Sequence, residues 1–165
     1  MRTRYFLWLF VLSLLGAAGL VSVQAHALPE RVATHFDLAG QPDGWMTRGG
    51  ELAFFLSLVT VGLPLLVAGF TYLARFHGPE ALYVPNGAHW RSLENHPKAC
   101  AILFRFGLLL GAALAWWSAA LHARLAAANR ADPPRLDGME GLTAILLAGV
   151  VVWFFALWLR FRRIV

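Results

Sequence analysis

The chain has 165 residues, 59% hydrophobic and 14% charged, with a formal net charge of +5 and a mean hydropathy of +0.60. No soluble domain of this size covers so much apolar surface, so lipid must cover part of it. The basic residues flank apolar runs and form no stripe with interleaved aromatics, which argues against a nucleic-acid partner, and a lone Cys100 excludes an intrachain disulfide or a Cys-rich zinc centre.

The first apolar run, residues 5–23, is long enough for a membrane helix, which needs about 20 residues. Arg2, Arg4 and the Ala25-His26-Ala27 triplet also fit a cleaved signal peptide. The run exceeds the usual h-region, so a retained helix is the reading adopted. Residues 24–50 follow as a polar loop. Pro29 and the mixed segment Arg31-Val32-Ala33-Thr34-His35-Phe36 predict extended backbone. Ala39-Gly40 and Pro42-Asp43-Gly44 predict two turns that fold the segment back on itself, so that His35, Asp37, Asp43 and Trp45 face one another.

The second run, 52–74, contains Gly62 and Pro64, which predict a bend that neighbouring helices must accommodate. A second polar stretch, about 76–97, carries Tyr83, Trp90 and Leu93, which suit a segment lying on headgroups. The third run, 99–123, opens after Pro97, with Asn95 or His96 as its cap. Along it Gly107, Gly111, Ala115 and Ala119 recur every four residues. Such a stripe admits a close helix, either within the bundle or in a homo-oligomer through Gly107, Gly111 and Ala115. The fourth run, 141–159, is preceded by Asp137 and Glu140 in capping-box spacing. Trp8, Trp90, Trp153, Trp158 and Tyr83 are expected near span ends, in the headgroup zone.

The fold class is therefore an all-α membrane protein of four transmembrane helices, with a short structured extracytoplasmic loop between the first two. Two units are expected: 1–98, the loop-containing two-helix domain, and 99–165, a C-terminal two-helix hairpin. With both termini inside, Arg2, Arg4, Arg75, Arg91, Lys98, Arg160, Arg162 and Arg163 lie on the inner side. Arg31, Arg48, Arg124, Arg130 and Arg135 lie outside, and Arg105 snorkels inward. This excess favours an N-in/C-in orientation.

Leu28-Pro29, Thr34-His35-Phe36, Gly40, Pro42-Asp43-Gly44-Trp45 and Arg48 closely resemble the signature loop of a small bacterial membrane-domain family of unknown function. That family also forms the N-terminus of immunity proteins against a sporulation-delaying toxin. Val84-Pro85-Asn86, His89-Trp90 and Glu94 resemble a second family element, although Gly87 and His89 depart from its usual basic and aromatic residues. The resemblance spans roughly residues 5–95. It implies a multi-pass protein of the bacterial cytoplasmic (inner) membrane and names no reaction.

His35, Asp37 and Asp43 supply three metal-type ligands in no standard spacing; the plainer reading gives Asp43 to the Pro-Asp-Gly turn and His35 to a backbone carbonyl. No Ser-His-Asp set, phosphate-binding Gly loop or zinc-protease motif is present. Within the spans only Arg105 and His122 are read as ionisable, with no carboxylate to couple protons. The expectation is a non-enzymatic membrane protein without metal or cofactor that binds a peptide or membrane-protein partner through His35, Phe36, Asp43 and Trp45, with Asn86, Trp90 and Glu94 as a second element. Membrane lipids surround it. The alternatives are a toxin-immunity or signalling protein and a metal-dependent membrane enzyme.

Overall fold

A computed structural model describes residues 3–164; Arg2, counted on the inner side above, lies outside them. Four helices are long and apolar enough to cross a membrane: α1 (Thr3–His26), α2 (Arg48–Phe76), α4 (His96–Ala128) and α5 (Met139–Arg162). Between them stand an antiparallel hairpin, β1 (Arg31–Phe36) and β2 (Pro42–Thr47), and a single helical turn, α3 (Gly87–Trp90).

Each helix follows its local chemistry. Thr47, in extended conformation, caps α2 by accepting a hydrogen bond from Gly50 N. Residues Phe55–Gly62 of α2 are π-helical, and Leu63 N–H reaches back five residues to Leu58 O. Pro64 follows directly; having no N–H, it cannot continue a regular ladder, so the sequence-predicted irregularity takes the form of a widened turn. Asn95 stands at the N-cap of α4, with Pro97 in its first turn. The capping box expected at Asp137 and Glu140 does not form. Gly138, at φ +74°, occupies the N-cap of α5, and Asp137 instead accepts from Arg135 Nε at 3.2 Å.

α4 is the central helix. Its buried face carries Ala99, Ile102, Leu108, Ala112, Ala115, Ala119 and Leu125. One core joins Ala115, Ala119 and Leu125 to Ala17, Val21 and Ala25 of α1 and Phe55 of α2. Another joins Leu108 and Ala112 to Phe10 and Ala68. Residues of α1 and α2 thus share these two cores with α4. Gly107, Gly111, Ala115 and Ala119 are all buried. Thr71 of α2 lies against Gly107, and Phe10 of α1 and Pro64 of α2 lie against Gly111.

α5 packs more loosely, with Phe161 as its only buried residue. Two indoles fasten it to α4: Trp117 Nε1 donates to Leu142 O at 3.3 Å and Trp153 Nε1 donates to Phe106 O at 2.8 Å. Trp153 therefore bonds to a neighbouring helix in mid-span rather than marking a headgroup zone. Ile145, Val151, Val152, Phe154 and Phe155 of α5 stay exposed, as suits a lipid-facing helix.

The up-and-down order gives the bundle two chemically different ends. One gathers the start of α1, the end of α2, the start of α4 and the end of α5. Among the described residues it holds Arg4, Arg75, Arg91, Lys98, Arg105, Arg160, Arg162 and Arg163 against only Glu80 and Glu94. The opposite end carries the hairpin and the segment from Asn129 to Gly138, where Arg31, Arg48, Arg124, Arg130 and Arg135 meet seven carboxylates.

Candidate functional site

The hairpin is built around the first of the two expected turns, at Ala39-Gly40. Asp37 Oδ1 accepts from the backbone N–H groups of Ala39 and Gln41, both at 2.8 Å, and Gly40 takes φ +75°. These contacts make residues 37–41 the turn, and Pro42-Asp43-Gly44 belongs to β2 instead of forming a turn of its own. Gly44 is needed there because a Cβ would lie 2.8 Å from His35 Cβ. Pairing runs Arg31 to Thr47, Val32 to Met46, Ala33 to Trp45, His35 to Gly44 and Phe36 to Pro42, with an irregularity at Thr34.

Alternation along β1 is broken, because the neighbours Val32 and Ala33 are both buried. The cause is Asn129, at the end of α4. Its Oδ1 accepts from Ala33 N at 2.7 Å, while its Nδ2 donates to Ala33 O and to Leu125 O, both at 2.9 Å. One side-chain amide thus satisfies both backbone groups of a strand residue, as a third strand would. Leu136 N–H donates to Gly40 O at 3.1 Å, fixing the turn to the segment that follows α4. Val32 also inserts into the core shared by α1, α2 and α4. The hairpin is held at its base and at its tip.

Of the four residues expected to converge, two meet. His35 Nδ1 and the Asp43 carboxylate form a hydrogen-bonded pair on the outer face, so His35 faces a side chain and not a backbone carbonyl. Both side chains are largely solvated, which limits the pair's contribution to stability. Asp37 is committed to the turn, and Trp45 lies under the Arg31 guanidinium, 4.9 Å from its ring centre. Phe36 is half-buried, and Leu38 projects fully into solvent at the tip. Among the described residues, no three His, Cys, Asp or Glu side chains converge as a metal site would require.

Below the hairpin lies a polar cluster that corrects the expectation of an apolar interior without carboxylates. Glu51, in the first turn of α2, is buried against His122 of α4, and the two side chains are 1% and 0% exposed. The carboxylate straddles His122 Nε2: Oε1 is closer, at 3.1 Å, but lies off the hydrogen-bonding direction, and Oε2 at 3.4 Å is within it. Among the described residues, Oε1 has no hydrogen-bond partner of its own. His122 Nδ1 meets Gln24 Oε1 of α1 at 2.8 Å, and Phe55 packs edge-on against the imidazole at 4.9 Å. Deeper in the bundle, Ser118 Oγ donates to Thr60 Oγ1 at 3.1 Å, with both residues fully buried. Three helices are thereby joined through polar side chains beneath the hairpin.

The second sequence element has an internal task at the other end of the bundle. Asn86, in left-handed conformation at φ +56°, donates through Nδ2 to Arg162 O at 2.9 Å and to Phe161 O at 3.3 Å. Trp90 Nε1 donates to Phe161 O at 2.8 Å, with its ring edge-on to the Phe161 ring. Together they cap the last carbonyls of α5. Trp90 is therefore buried, whereas Tyr83 and Leu93 of the same stretch remain exposed. Glu94 is solvated and pairs with Lys98 at 2.9 Å; the hydrogen bond from that ammonium, and then its charge, hold the Glu94 carboxyl below its usual range.

The cluster of Glu51, His122 and Gln24 was hidden from sequence reading because its members lie far apart along the chain. The one available signal was a carboxylate three residues inside the start of a span, which reads equally well as a favourable charge at a helix N-terminus.

Comparison with known proteins adds one finding. No curated protein and no solved structure matches the chain. A family model matches residues 8–61, from α1 through the hairpin into the π-helical part of α2, and stops short of Asn86, Trp90 and Glu94. This membrane-type bundle therefore carries, at residues 8–61, a domain of unknown function (DUF1648).

Proposed function

We propose that this chain is a non-enzymatic recognition protein of a bacterial cytoplasmic membrane. The bundle holds the hairpin as a rigid display surface on the extracytoplasmic side. The observation that carries this reading is the fastening of the hairpin: Asn129 satisfies Ala33 on both sides and Leu136 ties down Gly40, while Leu38, Trp45 and the His35–Asp43 pair stay accessible. A fixed backbone with accessible apolar and polar groups suits binding, because little ordering remains to be done when a partner arrives. Trp45 and Leu38 serve as apolar anchors, with His35 and Asp43 setting polar specificity. The positive-inside tendency supports placing the cation-rich end in the cytoplasm and the hairpin outside. The resemblance of this loop to the N-terminal part of toxin-immunity proteins makes a secreted peptide the first partner to test.

A photoreactive amino acid at position 38 or 45, introduced in bacterial cells producing the full chain, tests the proposal. A discrete crosslinked species is expected from both positions, and it should be lost when Asn129→Ala releases the hairpin. The same probe at lipid-facing Phe154 should yield no such species. Adducts that form equally from position 154, or that persist unchanged in the Asn129→Ala variant, would argue against recognition by the hairpin.

A further inference from the structure

The cation-rich end contains a cavity of about 460 Å³ between the α3 turn, the start of α4 and the end of α5. His89, Lys98, Arg105 and Arg160 supply its polar wall, Trp90 and Ile102 are part of its apolar wall, and among the described residues no carboxylate side chain lines it. Its two arginines are poorly matched by the protein. Arg160 Nη1 is buried without a hydrogen-bond partner among the described residues, and its guanidinium lies 5.6 Å from the Trp90 ring centre. Arg105 has, among the described residues, one acceptor, the neutral Thr3 Oγ1 at 3.1 Å. Lys98 is engaged by Glu94 and Asn95 at the rim.

A buried guanidinium N–H without an acceptor is costly, and a cavity walled by two arginines, with its one nearby acid, Glu94, engaged by Lys98 at the rim, presents a positive field. Both features are relieved by one kind of occupant, an oxyanion that accepts several N–H groups at once; a phosphate group fits the forked donors of two arginines. Position then selects the source of that phosphate. The cavity lies where α4 begins and α5 ends, at the level where the apolar spans give way to polar loops, which is the depth of phospholipid headgroups. Its walls are mixed as well: the indole of Trp90 and the Ile102 side chain suit the glycerol and upper acyl region below a phosphate. We infer that this cavity binds the phosphate of an anionic phospholipid, held by Arg105 and Arg160, with His89 and Lys98 at its margin.

The test uses the full chain in a neutral detergent, with lipid binding followed by native mass spectrometry. Phosphatidylglycerol, phosphatidylcholine with the same acyl chains, and inorganic phosphate are titrated separately. Phosphatidylglycerol should bind, and the other two should not bind measurably over the same range. Arg160→Gln and Arg105→Gln should each weaken phosphatidylglycerol about tenfold or more, the loss expected for one charge-assisted hydrogen bond. Arg163→Gln removes the same charge from the same end but outside the cavity, and should change binding less than about threefold. Arg105→Gln alone keeps the test decisive if Arg160→Gln fails to fold, because Arg105 is only half-buried and has a neutral partner. Equal binding of the two lipids, or an equal effect of Arg163→Gln, overturns the assignment. Arginine-dependent binding of inorganic phosphate overturns the lipid source in favour of a free anion.

Discussion

Substituting His122 by Leu probes the polar junction beneath the hairpin. The replacement has similar bulk, so packing against Phe55 is largely kept and the change is mainly electrostatic. It removes the one group that faces the Glu51 carboxylate, which is 1% exposed and already has one oxygen without a hydrogen bond. Breaking a buried pair by removing one member costs about 3–5 kcal/mol, because the survivor is left charged or must be neutralised. This corresponds to more than roughly a hundredfold loss in the ratio of folded to unfolded protein. The double substitution Glu51→Leu with His122→Leu removes both members together. Replacing a whole buried pair by apolar groups is often neutral, so the double variant should recover most of the loss. Gln24, left without its partner, is only half-buried and can turn towards water. Unfolding of the protein from mild detergent by added dodecyl sulfate, followed by tryptophan fluorescence, measures both variants. A single variant within about 1 kcal/mol of the parent, or a double variant no more stable than the single, would refute the argument that the pair's members depend on each other.

Three further outcomes follow from the geometry. Asn129→Ala should cost about 1–3 kcal/mol, since Ala33 N–H and C=O lose their partner in a buried setting; hydrogen exchange at Ala33 should accelerate while exchange in the middle of α4 does not. The Glu94 carboxyl is held down by Lys98, so its contribution is present above the ordinary glutamate range and lost as pH falls through the lowered folded value; NMR titration should place its midpoint below 4.5, and Lys98→Gln should move it back up. A cysteine at position 41, with Cys100 replaced by Ala, should react with an impermeant reagent in intact cells, and labelling only after permeabilisation would reverse the proposed orientation.

The four spans were legible because their apolar runs are long and nearly free of charge, a signal that survives without knowledge of tertiary contacts. A folded-back loop was also legible: the Ala39-Gly40 turn forms where expected, whereas Pro42-Asp43-Gly44 lies in β2. The side chain of Asp37 accepts two backbone N–H groups, and this local competition decides the turn where residue propensity alone could not. Asp137 and Glu140 show the same limit at α5, where Gly138 in left-handed conformation takes the cap position. What stayed illegible was long-range: Glu51 with His122, and Asn129 with Ala33, are separated by 71 and 96 residues. No periodicity encodes such partners, because each depends on how three helices come together. Asn86 and Trp90 illustrate the converse, being singled out for their resemblance to a family element while their hydrogen bonds serve α5.

That last arrangement has a bearing on biosynthesis. Asn86 and Trp90 leave the ribosome more than 70 residues before the carbonyls of Phe161 and Arg162 that they grip. Until the final hydrophobic segment is threaded, the indole N–H and the amide have no assigned acceptor. Insertion of that segment is thus the step that completes this end of the bundle, and a nascent product halted earlier would leave the Asn86 and Trp90 donors without these acceptors.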